Sequence, residues 1–459
     1  MDNTNKIKHL YARAGFGLRV ADMQRVKGLT VKHAVEGFFT SSTEIKPLTV
    51  VTNNTNYRDA AKADSLTKKM FMQQQRQLER DLNITWVNQM SMSEAQLREK
   101  MTLFWHNHFA CRTQNAFYAQ QLNNIQRTNA LGNFKTLLLA VSKSPAMLQF
   151  LNNQQNKKGH PNENFARELM ELFTIGRGNY TEQDVKESAR AFTGWGFDND
   201  GEFVERKVLH DEGQKHFLGK TGAFTGEDII NTLLERKETA RFICTKLYKY
   251  LVNETPDMAN VTAMANVFYS SAYDITKLLK FVFTADWFYA DKNTGNLIKA
   301  PVDFIVGLNR QFYIDYKNPD VIMQFERALG QVLFYPPNVA GWPGGKSWID
   351  SSSLMFRLKI PSTVLNDGVI DFKGKADPED EAFLAMNVNK RKAVNTQVQT
   401  QPNWDKFLTG IPANISKATV AGVILAPALN ANLMAIVNRA TNIRSMVIEL
   451  VSTPEYQLY

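Results

Sequence analysis

Cysteine is nearly missing: Cys111 and Cys244 are the only two in 459 residues. Two thiols so far apart make neither a disulfide framework nor a zinc knuckle, so both read as reduced and structural. Long apolar runs are missing as well. No stretch of about eighteen apolar residues occurs, which leaves no membrane-spanning helix. The N-terminus, Met1-Asp-Asn-Thr-Asn-Lys-Ile-Lys-His9, lacks the basic-then-apolar layout of a signal peptide. The expectation is a cytoplasmic chain as given, or an exported one if a leader has been removed. A serine nucleophile elbow, a Walker motif and a C-x-x-C pair are all absent, which disfavours covalent serine chemistry, nucleotide hydrolysis and dithiol redox. Charge of one sign is thin. A net +9 over this length falls well short of the dense basic stripe of a nucleic-acid binder. Lys390-Arg391-Lys392 is the only run of three basic residues and reads as a solvated loop.

What is present is helical patterning. Apolar residues make up 44% of the chain and charged residues 22%, enough to fill a sizeable core in two subdomains or one large helical domain. Capping-box forms open helices at Ser93-Glu-Ala-Gln96 and Thr181-Glu-Gln-Asp184. Leu97, Met101, Phe104, Trp105 and His108 continue the first as a buried stripe, and Val185, Ala189 and Phe192 face inward in the second. A Gln-rich stretch from Lys62 to Asn88 predicts a long helix exposed on one side. Phe197-Asp-Asn-Asp-Gly-Glu-Phe203 reads as a β-hairpin. It superficially resembles the start of a calcium loop, but Leu209 stands where the twelfth-position Glu belongs. Phe334 to Trp348 is too rich in Pro and Gly for regular structure. The expected fold is mainly α: a large multi-helical domain with one or two small β-hairpins and an ordered Pro/Gly/Trp loop. Residues 1–360 form the main domain, and 361–459 a polar linker followed by two or three helices that pack on it.

Four ionisable residues crowd the stretch Glu163 to Gly176. A helix from Glu163 to Ile175 buries Phe165, Leu169, Leu172 and Phe173 and leaves Glu163, Arg167, Glu168 and Glu171 beside that stripe. The bland reading is a local ladder in which Arg167 pairs with Glu163 and Glu171. The functional reading makes Glu168 or Glu171 a general base or metal ligand. Trp105-His-Asn-His-Phe109 sets two imidazoles two residues apart, which a continuous helix splays by about 200°. His106 and His108 therefore share a metal only if the helix unwinds near Trp105. Otherwise they are structural histidines, His108 in the core and His106 half-exposed. His210 and Asp211 follow the hairpin and offer a third imidazole beside a carboxylate.

Several blocks together resemble the bacterial domain-of-unknown-function 1800 family. They are His9-Leu-Tyr-Ala-Arg-Ala-Gly-Phe-Gly17, Leu97 to Phe109, Asn162 to Trp195, His210-Asp211, Pro336 to Gly345 and the ending Ser452-Thr-Pro-Glu-Tyr-Gln457. The resemblance implies a largely helical protein and no particular chemistry. It also implies relatives that are often exported and encoded beside a sulfatase-like family, which makes a member of that family a possible partner.

The expectation for function is a divalent-metal-dependent enzyme, most simply a hydrolase. His106, His108, His210 and Asp211 would hold Zn, Mn or Fe, and Glu168 or Glu171 would act as base. Trp342, Trp348 and Arg167 would bind a small-molecule or glycan substrate. The alternative is a non-catalytic scaffold or binding module that uses the Pro/Gly/Trp loop, and a redox metalloprotein is a third reading. Trp342 and Trp348 are equally readable as anchors for the loop.

Overall fold

The computed structural model describes residues 2–52, 64–366 and 398–459. Lys62 and the basic run Lys390-Arg391-Lys392 lie outside the described residues. The chain is mainly α, with helices joined by short loops and a few two-stranded antiparallel sheets. Trp195–Phe197 pairs with Phe203–Glu205 as the expected hairpin, and Lys215–Phe217 pairs with Lys220–Gly222 as a second. A third pair joins Asp315–Tyr316 to Thr400–Gln401.

Short polar side chains set where helices begin. Thr181 and Thr225 each accept from the backbone N–H three residues on, while Asp184 and Asp228 return the bond, so both are complete capping boxes. The box expected at Ser93 does not form. The Gln96 side chain instead accepts from the Phe16 N–H at 3.2 Å, and the helix starts after Ala95 without a side-chain cap. Gln96 is thus spent on joining two parts of the chain.

The apolar interior falls into two clusters. One gathers the helices from Phe134 to Phe173 and from Gly226 to Thr284. The other gathers Leu82 to Met90, Val302 to Phe334, Ile360 to Leu365 and the C-terminal helices from Trp404 to Val451. There are four of those C-terminal helices, not two or three. Pro361 lies inside the Ser351–Leu365 helix.

The helix Gln96–His108 lies between the clusters and feeds both, Leu97, Met101, Phe104 and Trp105 to one and Leu103 to the other. Among its thirteen residues only Asn107 escapes full burial. Its three consecutive charges need partners at that depth. Glu99 receives bonds from Trp86, Gln89 and Arg127, each at 2.9 Å. Arg98 donates to the Ser42, Arg127 and Thr128 carbonyls, and Lys100 pairs with Asp303 at 2.6 Å.

Candidate functional site

The Gln96–His108 helix stays intact to its last residue. Its two imidazoles therefore diverge into different surroundings, and both are buried, so His106 is not half-exposed. The His106 Nε2 accepts from the Phe334 N–H at 3.1 Å. Its ring lies edge-on to Trp86 and against Phe334 and Trp342. Burial pushes its pKa down to about 3, so the ring is neutral. His108 faces the other way. Its Nε2 lies 3.2 Å from the Phe173 carbonyl oxygen and its Nδ1 3.3 Å from the Lys246 ammonium. Burial, and then the Lys246 charge, hold this ring well below its ordinary value. A neutral ring that donates from Nε2 and accepts at Nδ1 satisfies both contacts.

Asn107, between them, fastens the Pro/Gly/Trp loop. Its side-chain oxygen accepts from the Trp342 N–H at 2.7 Å, and its amide reaches the Trp342 carbonyl at 3.4 Å. The neighbouring Gly341 has φ +83°, and a Cβ there would lie 2.2 Å from the Asn107 oxygen. Only glycine allows this approach. Gly345, at φ +61°, presses in the same way on the Glu254 carboxylate. Trp342 and Trp348 are buried at 4% and 6% exposure and anchor the loop.

The acidic helix differs from its expected form. It is α-helical from Asn164 to Glu168 and widens to a π-turn from Leu169 to Phe173. The exposed carbonyls of this last turn find donors elsewhere. Thr174 caps Leu169, Gly176 N–H caps Met170, Lys246 caps Leu172 and His108 caps Phe173. Widening also takes Glu171 out of register with Arg167. Arg167 pairs with Glu163 and Glu182, and Glu171 pairs with Arg177 and the Tyr180 hydroxyl. Glu168 is half-buried, and its pKa is raised by burial and then by Glu171.

His210 and Asp211 tie the chain between the two hairpins to Arg190 and Thr193. The His210 Nδ1 lies 2.9 Å from the Thr193 carbonyl oxygen. Asp211 is gripped by Arg190 at 2.8 and 3.2 Å and by the Gly213 N–H, and the Arg190 bond brings its pKa down to about 2. The structure thus does not bring His106, His108, His210 and Asp211 together. Among the described residues, no three His, Cys, Asp or Glu side chains are placed to hold a metal ion.

What does converge is a cavity of about 360 Å³ beneath the loop. Its walls include Phe104, His108, Lys246, Tyr250, Trp342 and Trp348. Lys246 is half-buried, and its ammonium lies 4.9 Å from the Phe242 ring centre. Burial pushes its pKa down to about 8, and no carboxylate pairs with it among the described residues. Three of the residues expected at a site, His108, Trp342 and Trp348, meet here. Lys246, Asn107 and Tyr250 escaped the sequence reading. Phe242, Lys246 and Tyr250 stand at i, i+4 and i+8 in the Lys237–Leu251 helix, and a lysine set between aromatics on one face was the available signal.

A family model described as protein of unknown function, DUF1800, matches residues 9–458. The chain belongs to the DUF1800 family. No curated protein and no solved structure matches it. Among the described residues, no helix is long and apolar enough to cross a membrane.

Proposed function

We propose that this protein binds a small anionic organic molecule in the cavity under the Pro/Gly/Trp loop. The observation that carries this reading is Lys246, a cation lining a concave aromatic space and paired with no carboxylate among the described residues, although Glu254 and Asp303 line other parts of the wall. Cavities of roughly 300–1,000 Å³, mostly apolar with a few convergent polar groups, suit small ligands, and about 360 Å³ lies in that range. The rings of Phe104, Tyr250, Trp342 and Trp348 would cover the ligand's body, and Lys246 would fix its carboxylate or phosphate. His108, neutral and turned toward Lys246 and Phe173, orients the ammonium.

The test is a thermal-shift screen of small carboxylates, sugar acids and phosphate esters against the wild type and Lys246→Met. A true ligand at about a hundred times its Kd stabilises the wild type by about 2.7 kcal/mol, and the variant should lose most of that shift. A screen without hits, or hits that shift Lys246→Met equally, would end the proposal. Elemental analysis of untagged protein belongs beside it, because stoichiometric Zn, Mn or Fe would favour the metal-dependent hydrolase instead.

A further inference from the structure

A second, smaller cavity of about 60 Å³ lies behind the wall formed by Asp303 and Tyr459, which line both spaces. Lys8, Lys100 and Lys299 line it, and Asp303 is the only carboxylate side chain among its described lining residues. These lysines come from three places, the first helix, the central Gln96–His108 helix and the residue two before Pro301. Lys100 and Asp303 are fully buried, while Lys8 and Lys299 are half-buried.

The charge here is out of balance. Asp303 is already committed to Lys100, and the Tyr459 hydroxyl also reaches it at 3.3 Å. Two buried guanidiniums add to the excess. Arg13 lies 4.8 Å from the Tyr459 ring centre, and Arg357 donates to the Lys299 carbonyl at 2.9 Å. Each of them keeps two buried nitrogens without a partner among the described residues.

The lysines also hold donors in reserve. An ammonium has three N–H groups. Lys8 uses two, on the Gly422 and Leu425 carbonyls, Lys299 uses one, on the Tyr456 carbonyl, and Lys100 uses one, on Asp303. The backbone of the glycine loop does not take part, since the Phe16 and Gly17 N–H groups are bonded to Gln96 and Tyr11.

We infer that this cavity is a binding site for a free inorganic oxyanion of phosphate size, held by Lys8, Lys100 and Lys299. Its size fits the assignment. A water needs roughly 10–15 Å³ on the same measure, so the space admits a few waters or one such anion and little more. An added anion offsets the surplus cations and accepts the donors that the protein leaves over. Lys299, whose pKa burial pushes down to about 7, would regain its full charge with the anion in place. Lys246 does not line this cavity, and the inference does not rest on the proposed organic ligand.

The experiment is calorimetric titration of the full chain with inorganic phosphate, in buffer whose only other anion is chloride. The expected result is saturable binding of one phosphate per chain, accompanied by a rise in Tm. Lys299→Met and Lys8→Met should each weaken it tenfold or more, with circular dichroism confirming the fold, and Lys8→Met carries the test if Lys299→Met does not fold. Lys246→Met should bind phosphate like the wild type. Glycerol phosphate should bind at least tenfold more weakly, and equal or tighter binding would overturn the free-anion assignment. No saturable binding beyond sodium chloride at equal ionic strength, or undiminished binding by the folded lysine variants, would overturn the site.

Discussion

Glu326 shows how much a single buried carboxyl can dictate. It is fully buried, accepts from the Asn83 amide at 2.6 Å and the Leu333 N–H at 3.3 Å, and among the described residues faces no cation within bonding reach. Burial raises its pKa to about 8. An acid whose pKa is higher folded than unfolded binds more protons in the native state, so stability falls as pH rises from the ordinary carboxyl value toward 8. Glu326→Gln removes that titration. Urea midpoints at pH 5 and pH 8 should differ less in the variant than in the wild type, with the variant gaining about 1–3 kcal/mol at the higher pH. Equal slopes would mean that Glu326 is not protonated in the native protein. The sequence offered no sign of this residue, because Glu326-Arg327 looks like any exposed helical pair until the Asp320–Leu329 helix is seen to bury that face.

At the scale of elements, the short segment His106-Asn107-His108 organises its surroundings. It fixes the start of the Pro/Gly/Trp loop through Phe334, its middle through Trp342, and the wide turn of the acidic helix through Phe173. Asn107→Ala should leave the Trp342 N–H without its acceptor and cost about 1–3 kcal/mol. Faster amide exchange at Trp342, with unchanged exchange in the Phe134–Ser142 helix, is the signature to look for. Gly341→Ala should cost more, since it adds a left-handed backbone penalty to a clash with Asn107. If both variants melt with the wild type, the loop is not held by this helix end.

These contacts also show what was readable. The helical stripe from Leu97 to His108 was legible in spacing alone, and so were the Thr181 cap and the hairpin at Trp195. The spacing of His106 and His108 correctly implied divergence on an intact helix. Their partners were beyond reach, because Phe334, Phe173 and Lys246 are remote in sequence and no periodicity connects them. The π-turn was hidden too, since its register change depends on tertiary caps that Lys246 and His108 provide.

Across the whole molecule, the two apolar clusters are joined by the network around Glu99. Arg127 binds both Glu99 oxygens, at 2.9 and 3.2 Å, and is itself fully buried. Arg127→Met strips Glu99 of its cation inside the protein, a change that costs about 3–5 kcal/mol for buried pairs. Because the Gln96–His108 helix feeds both clusters, fluorescence and circular dichroism should report one shared transition at the lowered Tm. Two separated transitions would show that the halves unfold independently. The polar stretch after residue 360 marks a C-terminal segment whose helices are expected to pack on the rest of the chain. Val398, Phe407 and Val420 lie in one cluster with Trp86 and Phe304.

Asp303 and Tyr459 face two chambers at once. A guest that nudges this partition from one side changes the welcome on the other, and equilibrium linkage makes the influence mutual and equal in factor. Measuring each guest's affinity with the opposite chamber filled and empty gives that factor, and a value of one would mean that the partition does not yield.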